Sequence, residues 1–314
     1  MMVSAQAVPT SGGEAFGVSI SPQYPAPYGQ ATLSIVSSSI DLASATMVVS
    51  IANKELYRGN AQTIAIPLGK GGEVIGVKVT VISARTSSTR TFSIQPQDVV
   101  LVAEPLSSAP LLYPGKPLVP IDGSVRVVAM ANLRDANGKV SNPLTNSYSW
   151  SVDGMQIMNA SGIGKESVIV ASPLQYRSRS VSVVVSSSDS GLVGGADLSL
   201  VASEPLVRIY ENDPLLGIIF ERALSGNYSI NGTEDTLYAA PFYMPLTKGT
   251  PLIQWFLNGN PAQSGNSITL RPSGSGKGSA SLSLVASAGG SARATMKLPV
   301  LFGKASGGFS LFGL

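Results

Sequence analysis

An all-β chain of three tandem sandwich domains is what this sequence predicts. One phrase occurs twice, apolar residues alternate with period two along most of the chain, and tight-turn dipeptides punctuate the runs. The two tryptophans of the 314 residues both stand in the repeated phrase, "SYSWSVDG" at 147–154 and "LIQWFLNG" at 252–259. Each reads Trp-x-x-Asp/Asn-Gly. A large inward-pointing side chain followed by a two-residue turn is the signature of a core strand leading into a hairpin, because Asp/Asn-Gly accepts positive φ.

The flanks repeat too. After the first phrase come "ESVIVASP", "RSVSVVVSSS" and "ADLSLVAS"; after the second, "NSITLRPS", "GSASLSLVAS" and "ARATMKLPV". Upstream, "MVVSIANKEL" is followed in the same order by "AQTIAIPL", "VIGVKVTVIS" and "TRTFSIQP". This earliest copy places Val49 where the tryptophan stands, and Asn53 supplies its turn. Val77, Val79 and Val81 alternate with Lys78 and Thr80, as Leu282 and Leu284 alternate about Ser283. Such alternation sets one face against a core and the other in water. Turns are marked by Asn137-Gly138, Asp153-Gly154, Asn231-Gly232 and Asn258-Gly259. Two further strands open each copy: "FGVSISP" and "ATLSIVSSS", "DVVLVAEP" and "SVRVVAMAN", "PLVRIYE" and "DTLYAAPFY".

Seven strands in about 100 residues is the count and size of an immunoglobulin-like domain. The expected organisation is an N-terminal remnant at 1–15, Ig-like β-sandwiches at 16–97, 98–204 and 205–302, and an apolar tail at 303–314. Linkers of a few residues with one proline each predict an elongated, semi-rigid rod. Trp150, Trp255 and Val49 are expected in the cores.

Composition narrows the function. Charged residues make up 12% of the chain and the net charge is +3, with no basic run for nucleic acid to meet. There is no Cys and no His, which removes disulfides, thiol nucleophiles, the commonest general base and the commonest metal ligand. No apolar stretch is long enough to span a bilayer. Ala5-Gln6-Ala7 has the small-x-small pattern of a signal-peptide cleavage site without the apolar segment that should precede it. Export from the cell is expected, with the signal peptide missing or truncated.

The sequence carries few marks of chemistry. "PSGSGKGSA" at 272–280 and "GIGK" at 162–165 lack the Ser/Thr and the helix of a phosphate loop. Glu211, Asp213, Glu221, Glu234 and Asp235 are carboxylates without partners to perturb them, so they read as turn and solvated residues. Asp135 and Asn137 fall short of a calcium loop. "KLPVLFG" lacks the Thr-Gly of a sortase signal, and the sequons at Asn159, Asn227 and Asn231 imply surface loops. No catalytic residue, metal or cofactor is expected.

Two segments do not fit a plain sandwich. In "EPLVRIYENDPLLGIIFERALSG" at 204–226, Leu215, Leu216, Ile218 and Phe220 are expected to fill the joint between the second and third domains, or else to form a docking patch. In the tail, Phe309, Leu311, Phe312 and Leu314 are candidates for partner docking.

The stretch "YPAPYGQATLSIVSSSIDLASATMVVSIANKEL" resembles bacterial Ig-like repeats. With "VRVVAMANL", "YSWSVDG", "ENDPLLGIIFERALS" and "IQWFLNG", the chain resembles an uncharacterised family of exported Ig-like proteins from small-genome candidate-phyla bacteria. The resemblance implies an envelope or surface location and carries no activity or functional residue with it. The expected role is a non-catalytic surface or envelope protein serving adhesion, assembly or spacing. Its expected partner is a surface, pilus or surface-layer protein, or a polysaccharide. The alternative is a carbohydrate-binding module or accessory part of a carbohydrate-active enzyme, for which Tyr238, Phe242 and Tyr243 are the aromatic cluster to inspect.

Overall fold

The structure is a computed structural model that describes residues 16–84, 86–110, 113–188, 191–230, 232–273 and 277–303. Strands dominate, and among the described residues there is no α-helix.

The first set of strands is β1 (Gly17–Ser21), β2 (Gln30–Val36), β3 (Thr46–Ile51), β4 (Lys54–Asn60), β5 (Ile64–Pro67), β6 (Ile75–Ile82) and β7 (Ser87–Ile94). They form two sheets, ordered β1-β2-β5 and β4-β3-β6-β7. The fourth strand therefore joins the third rather than the fifth, a switched form of the seven-strand immunoglobulin sandwich. Alternation dictates the packing: Ala31, Leu33, Val49, Val77, Val79 and Val81 are all fully buried between the sheets.

The second set repeats the order with β8 (Asp98–Pro105), β9 (Ser124–Asn132), β10 (Ser147–Val152), β11 (Met155–Gln156), β12 (Gly162–Ile163), β13 (Ser167–Ala171), β14 (Ser178–Ser186) and β15 (Val193–Val201). Its sheets are β13-β9-β8 and β11-β10-β14-β15, with the short β12 beside β10.

The third set is β16 (Leu206–Asp213), β17 (Gly217–Ile218), β18 (Tyr228–Ile230), β19 (Asp235–Phe242), β20 (Leu252–Leu257), β21 (Asn260–Ser264), β22 (Ser267–Leu270), β23 (Gly278–Ala288) and β24 (Ala292–Phe302). Its sheets are β17-β16-β19-β22 and β18-β24-β23-β20-β21. Here the path from first to second strand is long enough to add two pieces, β17 against β16 and β18 in parallel with β24.

The register explains the repeated phrase. Val49, Trp150 and Trp255 are equivalent positions, facing Val79 on β6, Val183 on β14 and Leu284 on β23. All three side chains are fully buried. Each indole N–H meets a backbone carbonyl on the segment leading to β13 or β22, Trp150 Nε1 to Lys165 O at 2.9 Å and Trp255 Nε1 to Gly265 O at 2.8 Å. The turns that follow have positive φ at both central residues: Ala52 and Asn53, Asp153 and Gly154, Asn258 and Gly259. That is the type I′ geometry whose twist matches the strands it joins.

The chain divides into two compact units. The first takes the chain up to Val102 with Val127–Val168 and Ser180–Leu198; the second takes Ala103–Arg126, Ile169–Arg179 and the chain from Ser199 on. The first unit thus contains the whole first sandwich and its junction with the second. The second contains the whole third sandwich and its junction with the second.

Candidate functional site

Four of the carboxylates noted in the sequence, Asp135, Asp213, Glu234 and Asp235, make structural bonds. Asp213 Oδ1 accepts the N–H groups of Leu215 and Leu216 at 2.8 and 2.9 Å, and those two bonds hold its carboxyl below the usual range. Glu234 pairs with Arg271 on the surface. Asp235 accepts the Tyr228 hydroxyl at 3.0 Å; burial, then this carboxylate, push the Tyr228 phenol well up. Asp135 Oδ1 closes its own turn on the Asn137 and Lys139 N–H groups, both at 2.9 Å. Among the described residues no cluster of three or more acids is placed to hold a metal ion.

The 204–226 segment departs from the expected joint filler. Leu215 and Leu216 stand 94% and 80% exposed at the tip of the β16–β17 hairpin. Ile218 and Phe220 fold back over the outer face of their own sheet. Phe220 meets Tyr210 edge-on at 5.2 Å and Tyr238 at 6.2 Å between ring centroids. The segment is pinned there by Ile219 N–H to Glu211 O at 2.9 Å and Leu224 N–H to Ile209 O at 2.7 Å. The outer face of this sheet carries Tyr210, Ala240 and Phe242, and the returning segment covers part of it. The trio considered for sugar stacking belongs to the same cluster: Phe242 is buried, and Tyr238 and Tyr243 are partly so. Among the described residues the most exposed aromatics are Tyr28 and Tyr176, which carry no mark in the sequence pattern. Phe309, Leu311, Phe312 and Leu314, and the sequon residue Asn231, lie outside the described residues.

What does bring distant residues together are two joints, each inside one compact unit. In the first unit, the linker residue Gln97 is buried at 4% exposure. Its amide is used twice on one residue of the loop between β9 and β10: Nε2 donates to Arg134 O at 2.9 Å, and Oε1 accepts from Arg134 N at 2.7 Å. Beside it, Gln95 Nε2 donates to Gly72 O at 3.0 Å, and Gly72 N–H donates to Pro96 O at 2.9 Å. Gly72, at φ +85°, lies so close to the same loop that a Cβ would sit 2.3 Å from Asp135 O. Tyr24 fits against Gly195 near the start of β15, where a Cβ would come within 2.5 Å of the ring. These contacts demand glycine for proximity, and the bonds satisfy backbone groups that the joint buries.

In the second unit, a two-residue ladder joins the β8–β9 loop to the β19–β20 loop. Ser108 N–H donates to Met244 O and Tyr243 N–H to Ser108 O, both at 2.8 Å, while Ser108 Oγ accepts from Met244 N at 3.1 Å. Ser108 is buried, and Ser107 forms an antiparallel bridge with Pro245. Tyr113 caps the contact, edge-on to Phe242 at 5.2 Å. Asp122 Oδ2 accepts Gly290 N–H at 3.1 Å and Ser291 Oγ–H at 3.2 Å from the loop between β23 and β24. The Gly290 N–H above all, assisted by Ser291 and Lys248, holds the Asp122 carboxyl below the usual range.

The corresponding pole of the third sandwich carries a cavity of ≈ 220 Å³. Ile230, Leu257, Leu270, Val300 and Phe302 supply its apolar wall, and Arg271 and Ser279 its polar edge. No helix among the described residues is long and apolar enough to cross a membrane.

No protein-family model matches the chain, and neither does any curated protein sequence. Solved structures do overlap it. Three N-terminal domains of the bacteriophage RB49 highly immunogenic outer capsid protein share 13% identity, covering 92% of this chain and 99% of that one at a TM-score of 0.25. Clostridium thermocellum CbhA fibronectin(III)-like modules share 11%, covering 66% and 95% at 0.25. A Bacteroides ovatus mixed-linkage glucan utilization locus protein, SGBP-B, solved with a mixed-linkage heptasaccharide, shares 15%, covering 91% and 70% at 0.23. The likeness is one of tandem β-sandwich modules, and it is the strand order above that assigns the fold.

Proposed function

We propose that this chain is a non-catalytic module of the cell surface or envelope, serving adhesion, assembly or spacing through its sandwiches. One observation carries the reading: the linker residue Gln97 and Ser108 of the β8–β9 loop are both buried and bonded to the next sandwich's backbone. An enzyme concentrates its polar groups in a cleft, whereas here the buried Gln97 and Ser108 fix one sandwich to the next. A fixed joint between neighbouring modules is useful where a binding face must be held in a set orientation. The partner is a surface, pilus or surface-layer protein, or a polysaccharide.

The absence of cysteine makes the test direct. Spin labels on Ser93→Cys and Met155→Cys, both exposed and both in the first unit, report across the first joint. A single narrow distance distribution is expected, broadening when Gln97 is also changed to Ala. A broad distribution in the parent pair would mean a flexible tether and defeat the spacer reading. In parallel, full-length chain and a version ending at Gly303 are compared for capture of envelope proteins and for binding and turnover of polysaccharides. Turnover of a glycan would overturn the non-catalytic reading.

A further inference from the structure

Tyr176 is the most exposed aromatic among the described residues, at 87%, and its backbone is bent to present it. Arg177 N–H donates to Leu174 O at 3.0 Å and closes a four-residue turn between β13 and β14. Tyr176 stands third in that turn at φ +61°, a conformation that glycine or asparagine adopts with least strain. A bulky residue there keeps its place only when its surroundings hold it. Burial does not hold this one. Hydrogen bonds do: the Tyr176 hydroxyl donates to Glu204 Oε1 at 3.1 Å, and Gln175 Nε2 donates to the same oxygen at 2.9 Å. All of these residues belong to the second compact unit.

The clamp has a counterpart that lacks the ring. Glu204 and Gln95 each stand immediately before a linker proline, Pro205 and Pro96. Gln95 fastens its linker to the loop between β5 and β6 through Gly72 O. That loop, 68–74, holds Gly69, Gly71 and Gly72 and no aromatic residue. Fastening a linker to the neighbouring loop therefore requires no tyrosine. In the second unit a strained backbone and two side-chain bonds serve to hold an aromatic face in water, which adds nothing to the joint itself.

We infer that Tyr176, with Glu204 and Gln175 at its edge, is a stacking platform for a neutral polysaccharide. A pyranose ring has an apolar C–H face bordered by hydroxyl groups, and the trio matches both parts. The open tyrosine ring offers a flat apolar surface. The Glu204 carboxylate and the Gln175 amide oxygen offer acceptors to hydroxyl donors at its margin. A carboxylate at that edge repels phosphate and uronate, which selects for uncharged sugars. A ring so exposed has no wall closed over it, so it can meet the middle of a chain as well as its end. The turn and the hydroxyl tether fix the ring before binding, which lowers the entropic cost of association. The inference rests on the reading of the chain as a surface module that meets polysaccharide, and it names the place of contact.

The probes are laminarin, xyloglucan and galactomannan, all neutral, with polygalacturonate as the acidic control. In affinity electrophoresis the full chain is expected to be retarded by at least one neutral glycan and not by polygalacturonate. Tyr176→Phe keeps the ring and should bind within about threefold of the parent. Tyr176→Gly relieves the positive φ and should keep the unfolding midpoint while binding about tenfold more weakly or less. Without any variant, the Tyr176 ring-proton resonances of the parent should shift on titration with the retarding glycan. Ring resonances that stay in place would overturn the inference, whatever the stability of the variants. So would a parent that no neutral glycan retards, retardation by polygalacturonate alone, or a Tyr176→Gly chain retarded like the parent. Loss of envelope-protein capture in Tyr176→Gly, with no glycan retarding the parent, would overturn it in favour of a protein partner. A narrow spin-label distribution without glycan binding sinks the platform and leaves the spacer reading intact. A broad distribution with Tyr176-dependent retardation does the reverse.

Discussion

Replacing Gln97 with Ala removes one side chain and two bonds, and the cost can be worked from the joint itself. The change deletes the Nε2–Arg134 O bond of 2.9 Å and the Arg134 N–Oε1 bond of 2.7 Å at a site 4% exposed. A net hydrogen bond contributes about 1 kcal/mol, and a buried group left without a partner costs about 1–3 kcal/mol. Arg134 is only half-buried, so water reaches part of the vacated site and the low end applies. The expected loss is roughly 2–3 kcal/mol from the stability of the first unit. Since about 1.4 kcal/mol is a factor of ten, exchange of the Arg134 amide should quicken by about 30-fold or more. Urea unfolding gives the first number and hydrogen exchange the second. Gln97→Glu sharpens the comparison, because it retains an acceptor for the Arg134 N–H but loses the donor to Arg134 O. The Arg134 amide should then stay protected while the unfolding midpoint still falls. An unchanged midpoint and an unchanged Arg134 amide in Gln97→Ala would refute the account of a joint locked by this residue.

Trp255→Phe strips the donor from Gly265 O and part of the ring from the core, so the third sandwich should lose about 2–4 kcal/mol in denaturant unfolding. Phe220→Ala should cost about 2–4 kcal/mol through the lost contacts with Tyr210 and Tyr238. The double change Leu215→Ser and Leu216→Ser should stay within about 0.5 kcal/mol of the parent, as fits two side chains in water. Equal losses from both would mean the hairpin tip is packed after all. Asp122 predicts an acid-sensitive second joint. Its carboxyl is depressed in the folded state, so its contribution is complete above the unfolded value of about 3.9 and disappears as pH falls through the lower folded value. Because the group is exposed, less than about 1 kcal/mol is at stake. The Gly290 amide resonance should titrate with a midpoint below about 3.9 and should cease to do so in Asp122→Asn; an ordinary carboxylate midpoint would remove the bond from the account.

Of the structure, the strands and their hairpins were written in the order of residues. Period-two runs such as Val77, Val79 and Val81 can bury one face in only one way, and Asp153-Gly154 and Asn258-Gly259 accept the φ angles that a two-residue turn requires. The same local logic placed Val49, Trp150 and Trp255 at one position of three cores, because a one-residue slip would have turned each of them into water. A signal for the covered outer face is present in "LYAAPF", which is apolar without alternation, as strands buried on both faces are. Gln97, Ser108 and Asp122 carry no such mark. Gln97 lies in a short linker and Ser108 and Asp122 in the long β8–β9 connection, where their type and spacing are equally those of a solvated loop. Their bonds run to residues 37, 136 and 168 positions away. A pattern within a strand is fixed by neighbours in sequence and can be read from them. A joint is fixed by which loops meet after each sandwich has closed, so only the tertiary structure decides whether a polar linker residue faces water or locks two domains together.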